Sequence, residues 1–423
     1  MTRTPTIYVD VSETVVTRGN TGIQRVVRRI VGEGEAAAAA AGCRWVPVVA
    51  TARGLRPLSD KGREALMRSD VSGLIPALAP LAPSGGRGPT RLIKSLLAAF
   101  PQVYEAMRLR RLDQAFAGLV EPASVQIRRE DIYLMLDSFW LRSAAPRAAE
   151  KLRRRGRSVV AVIYDVLALT DPQYFAGDLP TVLARQFARL VKANVAFVSI
   201  SAEAARQVHE RAWATWPNGA GEVGHFPLGH DLEPSSKPAP DGGAVLLDGP
   251  LFLVVGTLEA RKNHQVVLDA FERLWATGWP GTLLIIGKPG WGTDPLLARL
   301  AAHPERGRRL LVEHAASDER LADAYRSAAA TIMPSLAEGF GLPIVESMAA
   351  GVPVIASDIA VFREILGNDP LLFDPANADD LVRAVNTLLA DPAAHRTRAA
   401  SFRWPDWRAS ADALVERVLA LAS

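Results

Sequence analysis

The chain has 423 residues, with 49 Lys+Arg, 45 Asp+Glu and a single cysteine, Cys43. At about 150 residues per domain this length accommodates two or three domains, and 49% hydrophobic with 22% charged residues excludes wholesale disorder. A lone cysteine excludes an internal disulfide or a thiolate metal cluster and fits a reducing compartment, while a net charge of +4 is too small to mark a nucleic-acid binder; the pI near 9.3 still asks for a target.

The apolar run 7–11 is too short and too soon interrupted to be a signal-peptide core. Crossing a bilayer takes about 20 apolar residues, and no window here comes close. These readings predict a cytoplasmic protein, attached at most to the inner face of the cell membrane. After strand 7–11 and the turn Gly19-Asn-Thr-Gly22, the residues Ile23, Val26, Val27, Ile30 and Val31 form the apolar stripe of a helix. Asn20 or Thr21 is its expected N-cap. Strands follow at 132–136, 159–164 and 196–200, the last leading into a helix at 202–208. Strands separated by helices imply a parallel sheet covered on both faces.

Residues 82–125 interrupt this rhythm with Arg87, Arg91, Lys94, Arg108, Arg110 and Arg111 among apolar residues. A second basic cluster is Arg153, Arg154, Arg155 and Arg157. Two readings stand: a solvated insertion, or a basic amphipathic surface for anionic lipid or a lipid-linked substrate. The stretch 233–243 is rich in Pro, Ser and Gly and reads as a linker. Strand and helix alternation then restarts, with strands at 251–255, 282–286, 310–312, 330–333 and 352–356 and helices after each. The expected division is 1–235, a linker at 236–249, a second domain at 250–400, and a crossover helix at 401–423.

The richest segment is Met333-Pro-Ser-Leu-Ala-Glu338-Gly-Phe-Gly-Leu-Pro-Ile-Val-Glu346-Ser-Met-Ala-Ala-Gly-Val-Pro353. Pro343 suits the first turn of a helix, and Gly351 suits its C-terminal end. A glycine loop before a helix N-terminus is a phosphate site. Carboxylates such as Glu338 and Glu346 beside it make sense as acceptors for hydroxyls of a ribose and a sugar, a structural glycine turn with two solvated glutamates being the alternative. After strand 251–255 comes Gly256-Thr-Leu-Glu-Ala-Arg261-Lys262-Asn263, where open parallel sheets bind ligands. Arg261 and Lys262 there can neutralise a diphosphate leaving group, a solvated surface pair being the alternative. Gly287-Lys-Pro-Gly-Trp-Gly292 has the wrong glycine order for a dinucleotide turn, and Pro289 interrupts it. No Asp-X-Asp is present to hold a divalent metal, and no histidine pair has zinc spacing.

On these motifs the chain resembles the family 4 retaining glycosyltransferases of GT-B fold, nearly end to end. The resemblance implies two Rossmann-like parallel-sheet domains facing a central cleft, with a C-terminal helix crossing back to the first. It implies a nucleotide-sugar donor, a glycan or lipid-linked acceptor, and no cofactor or metal. Glu338 would contact donor-sugar hydroxyls and Glu346 the ribose, while the backbone at Gly339, Phe340, Gly341 and Leu342 meets sugar and diphosphate. Thr257 stands where some relatives carry an arginine, and Ala260 where the family has proline. Thr21-Gly-Ile-Gln-Arg-Val-Val-Arg28 resembles the loop that reaches donor and acceptor, with Gly22 the foremost position. Gln24 and Arg25 lie on its acceptor side, a plain exposed helix face being their alternative. Tyr164 replaces the family's histidine, and Asp165 beside it is a polar contact or base, with a structural role as the alternative. Segments 199–203 and 227–231 and the aromatics Phe402, Trp404 and Trp407 fit the domain crossover. The opening Asp10-Val-Ser with segment 21–25 is similar to bacterial mannosyl- and rhamnosyltransferases of surface polysaccharide assembly. GDP-mannose is the leading donor; a UDP- or dTDP-sugar, a GT-B epimerase, and a nonenzymatic nucleotide-sugar binder are the alternatives.

Overall fold

A computed structural model describes residues 3–17, 22–68, 116–140, 144–212, 223–231 and 249–422. The candidate caps Asn20 and Thr21, residues 82–115 of the basic insertion, and linker residues 236–248 lie outside the described residues. The first sheet contains Thr6–Asp10 (β1), Arg44–Thr51 (β2), Gly54–Pro57 (β3), Ile132–Met135 (β4), Ser158–Ile163 (β5), Ala196–Ser199 (β6) and Val223–His225 (β7). Its order is β3-β2-β1-β4-β5-β6-β7. Every pairing is parallel except the β2–β3 hairpin.

The second sheet contains Leu251–Val255 (β8), Thr282–Ile286 (β9), Leu310–Glu313 (β10), Ala330–Met333 (β11), Val354–Ser357 (β12) and Leu372–Phe373 (β13). It is wholly parallel, in the order β10-β9-β8-β11-β12-β13. These strands are apolar runs because helices cover both faces, so no alternation is needed. In each sheet the direction of winding reverses once, between β1 and β4 and between β8 and β11. Ligands of open parallel sheets gather beyond the strand ends at such switch points.

The helix Gly22–Ala40 carries the expected stripe, with Val26, Val27 and Ile30 buried. The helix Trp407–Ala422 packs on it and returns the chain to the first domain. The Trp404 indole N–H donates to the Leu228 carbonyl (2.8 Å) and the Ser410 hydroxyl to the Pro227 carbonyl (2.7 Å). Trp407, Leu414, Val415 and Val418 are buried in one apolar cluster that also holds Ile7 and Val9 of β1 and Phe340 and Phe362 of the second domain. The crossover thus staples two domains through a shared core. Trp407→Ala should lower stability by about 3–5 kcal/mol, read from urea denaturation followed by circular dichroism; an unchanged midpoint would remove this helix from the core.

Candidate active site

The exit of β8 turns through the short 3₁₀ helix Ala260–Lys262. Asn263 follows in the left-handed region (φ 51°), and its side-chain amide donates to the Pro375 carbonyl (2.8 Å). This tight turn aims Arg261 and Lys262 at the exit of β11. Arg261 Nη1 reaches the Ala337 carbonyl (2.6 Å) and Glu338 Oε2 (2.7 Å), and Nη2 reaches Glu259 Oε1 (2.7 Å). The Lys262 ammonium pairs with Glu338 Oε1, to which the Ser335 hydroxyl also donates (2.7 Å). The Glu338 side chain is only 10% exposed. Burial alone would raise its pKa, but Arg261 and Lys262 together outweigh burial and hold it at about 2. Burial likewise works against the Arg261 charge, and Glu338 and Glu259 reverse that effect.

Two glycines after Glu338 are there for separate reasons. A Cβ on Gly339 would sit 2.6 Å from the Tyr164 carbonyl and 3.0 Å from Asp165 Cβ, so only glycine permits this approach of the two domains. Gly341 has φ 130°, a conformation L side chains rarely adopt, and a Cβ there would meet Phe362 at 2.9 Å. The helix Leu342–Ala349 starts immediately, with Pro343 in its first turn and no side chain capping its N-terminus; the Ile344 N–H donates to the Gly341 carbonyl (2.9 Å). Glu346 lies on this helix, 5% exposed, and accepts from the Tyr325 hydroxyl at Oε2 (3.1 Å). Its other oxygen pairs with Arg25 of the first domain.

From the opposite side, Asp165 follows β5, its Oδ1 accepting the Leu167 N–H (3.0 Å). Burial raises its pKa and Arg261 pulls it back. Glu338, Gly339, Arg261, Lys262 and Asp165 therefore form one cluster spanning the cleft. Gly22 opens its helix in exposed position with nothing within 4 Å of a built Cβ. Arg25, expected on the acceptor side, reaches across to the Glu346 carboxylate of the second domain. Gln24 and Arg28 are each 6% exposed rather than on an open helix face, because Arg28 Nε donates to the Leu66 carbonyl of a second helix (2.8 Å). Tyr164 is buried, and its hydroxyl donates to the Leu136 carbonyl (2.9 Å); only its backbone reaches the cleft. Thr257 is exposed on the β8 exit.

Several participants carry no motif. The Ser201 hydroxyl donates to the Gly339 carbonyl (2.8 Å). Glu364 caps the helix Ala202–Gln207 across the domain boundary, accepting from the N–H groups of Ala202 (2.8 Å) and Glu203 (2.9 Å). The fit of Ser199–Glu203 to a crossover segment was the one available sign for Ser201, and nothing in sequence marks Glu364. At the first switch point, Asp137 accepts N–H groups from Thr14 and Ser138, and burial lifts its pKa to about 7 against them.

Because the folded pKa of Glu338 lies below its ordinary 4.5, its stabilising contribution is present above that value and is lost as pH falls toward about 2. Glu338→Gln should cost about 3 kcal/mol at neutral pH, since Lys262 loses its carboxylate and Arg261 is left with Glu259 alone. The gap from wild type in urea denaturation should narrow between pH 4.5 and 3; a pH-independent gap would contradict the ion-pair account.

Residues 243–402 match the family model described as glycosyl transferases group 1. Over 287 residues the chain is 34% identical to the serotype-specific mannosyltransferase WbdA of Escherichia coli. That match covers 64% of this chain but 35% of the relative, so the chain spans well under half of WbdA. A D-inositol 3-phosphate glycosyltransferase of Nocardiopsis dassonvillei is 28% identical, covering 64% of this chain and 65% of its own. Among solved structures, a glycosyltransferase from Rickettsia africae superposes with TM-score 0.59 at 14% identity over 99% of both chains. Sucrose-phosphate synthase from Thermosynechococcus elongatus gives 0.58 at 21% identity, over 99% of this chain and 96% of that one. The two facing sheets and the returning helix are the GT-B fold, and residues 243–402 within it carry the similarity to the glycosyl transferases group 1 family.

Proposed function

We propose that the protein is a metal-independent, retaining glycosyltransferase that moves a hexose from a nucleoside diphosphate sugar to a hydroxyl of a glycan or lipid-linked acceptor. GDP-mannose is the donor favoured by the similarity to mannosyltransferases. The observation that carries this reading is the Glu338–Arg261–Lys262 cluster at the second switch point, facing Asp165 across a cleft and adjoining the start of the helix Leu342–Ala349.

The chemistry follows from exchanging partners. A diphosphate entering between the β8 and β11 exits takes Arg261 and Lys262, with further N–H donors at the start of the helix Leu342–Ala349. Glu338, released from its cations, accepts hydroxyls of the donor sugar, and Glu346, released from Arg25, accepts the ribose hydroxyls. The acceptor oxygen attacks the anomeric carbon from the side the diphosphate leaves. The bond to the leaving oxygen breaks as the new glycosidic bond forms, and the acceptor proton passes to that phosphate oxygen. Asp165 orients the acceptor at the same face. Positioning and charge neutralisation supply the rate enhancement, so no divalent metal is required.

The arginine-rich insertion and the cluster at 153–157 fit an anionic membrane surface at which a lipid-linked acceptor is presented. A groove of about 450 Å³ between two first-domain helices adjoins the 153–157 cluster, with Arg154, Arg185, Arg189 and Lys192 opposed by Glu150. No helix among the described residues is long and apolar enough to cross a membrane. Reversing Arg185, Arg189 and Lys192 to Glu should abolish co-sedimentation with vesicles containing anionic lipid; unchanged sedimentation would detach this surface from the membrane.

Nucleotide sugars screened for thermal stabilisation, then for acceptor-dependent release of nucleoside diphosphate in excess EDTA, test the reaction. Donor turnover without acceptor would make the protein an epimerase, and binding without turnover a sensor. Glu346→Ala should weaken donor binding about 10- to 100-fold, the worth of one or two hydrogen bonds to a charged group. Wild-type affinity in that variant would overturn the site.

A further inference from the structure

We propose that Trp291 is the platform on which the nucleobase of the donor stacks, an inference resting on the nucleotide-sugar reading above. Among the described residues only two large apolar side chains are at least half exposed, Met67 and Trp291, each at 53%. An indole left in water at a loop tip makes physical sense when a flat partner is expected.

Loose backbone does not explain the exposure. The Gly290 N–H donates to the Leu258 carbonyl (2.7 Å), and the Leu258 N–H to the Lys288 carbonyl (2.9 Å). The Thr293 hydroxyl closes the loop onto the Gly290 carbonyl (3.0 Å). At its start, the Gly287 N–H donates to the Glu313 carbonyl (2.9 Å), and His314 Nδ1–H returns a bond to the Gly287 carbonyl (3.1 Å). Trp291 is therefore carried on a loop tied to the exits of β8 and β10, and tied directly to the turn that presents Arg261 and Lys262.

The direction of the nucleotide follows from what is already filled. Its diphosphate lies between the exits of β8 and β11 and its ribose on Glu346. On the far side of β11, the helix Ala360–Leu366 that leaves β12 is pressed against the first domain through Glu364, and Phe362 fills the space under Gly341. That side is closed. Tyr325, which bonds Glu346, belongs to the helix Asp318–Ser327 leaving β10, so the open path from the ribose runs over β8, β9 and β10. The strand next to β8 on that path is β9, whose exit loop carries Trp291. A Trp face accepts any base and reads stacking area rather than a hydrogen-bond pattern, which favours a purine over a pyrimidine.

The test compares two ligands that differ only by the base: a nucleoside diphosphate and ribose 5-diphosphate. Calorimetry on the full chain should show wild type preferring the former, and Trp291→Ala should erase about 5- to 100-fold of that preference. Its affinity for ribose 5-diphosphate should stay unchanged, and Trp291→Phe should restore most of the loss. An undiminished preference in Trp291→Ala overturns the platform, as does an equal loss for both ligands, which would make Trp291 a support for the diphosphate turn. Loss of self-association in sedimentation with unaltered nucleotide binding would assign Trp291 to an interface between copies and equally overturn it. Wild type that binds no nucleoside diphosphate at all would sink the nucleotide-sugar reading itself, a result distinguishable from the others before any variant is made.

Discussion

A carboxylate taken out of water has to be matched by charge, and Glu338 sets this demand on everything around it. Its two oxygens are held by Arg261 and Lys262 from one strand exit while its own backbone belongs to another. The two exits flank the switch point of the second sheet, so one ion-pair cluster closes the very gap at which the sheet opens to ligand. The close turn of Ala260–Lys262, the left-handed Asn263 and the bond from the Leu336 N–H to the Arg261 carbonyl (2.8 Å) all hold the cations at the right height. Without that turn the charges would have to be solvated, and burying Glu338 would cost several kcal/mol.

The same loop decides how the domains meet. Gly339 touches the Tyr164 carbonyl because it lacks a side chain, and Ser201 and Glu364 add hydrogen bonds on either side of that contact. None of these contacts is large, whereas the crossover helix is stapled by a continuous apolar cluster. The hinge is thus firm where the chain returns and light where the cleft closes. The contacts named at the cleft mouth beside Gly339 are hydrogen bonds, from Ser201 and to Glu364.

Sequence made the strands of the second domain legible to the residue at 251–255, 282–286 and 330–333, because each is a short apolar run between turn residues. It missed β2 and β3: Pro47 lies inside β2 and argues against a strand, and β3 is a four-residue hairpin arm. Gly351, with φ 75°, sits just past its helix as its neighbours imply. Glu338, Arg261 and Lys262 were readable since glycine and proline punctuation surrounds them. The pairing of Arg25 with Glu346 was not, since it joins segments from two domains and no local pattern encodes their docking. The burial of Gln24 and Arg28 was equally hidden. A 3.6-residue period marks one apolar face, but the helix Asp60–Met67 and the crossover helix cover more of the surface than that face.

The basic balance of the chain acquires a meaning from how these cations are engaged. Arg261, Lys262 and Arg25 each face a carboxylate in the protein itself, so none waits as an open anion trap. Inorganic phosphate could take the cations only by stranding Glu338 and Glu346 in buried positions. On the proposed function, a nucleoside diphosphate sugar would bring phosphates for the cations and hydroxyls for both carboxylates, so that each of these groups would exchange one partner for another. Selectivity against the abundant simple anions then comes from the carboxylates rather than from the arginines. On that proposal the two glutamates have a purpose beside the proposed phosphate site, where charge alone would argue against them.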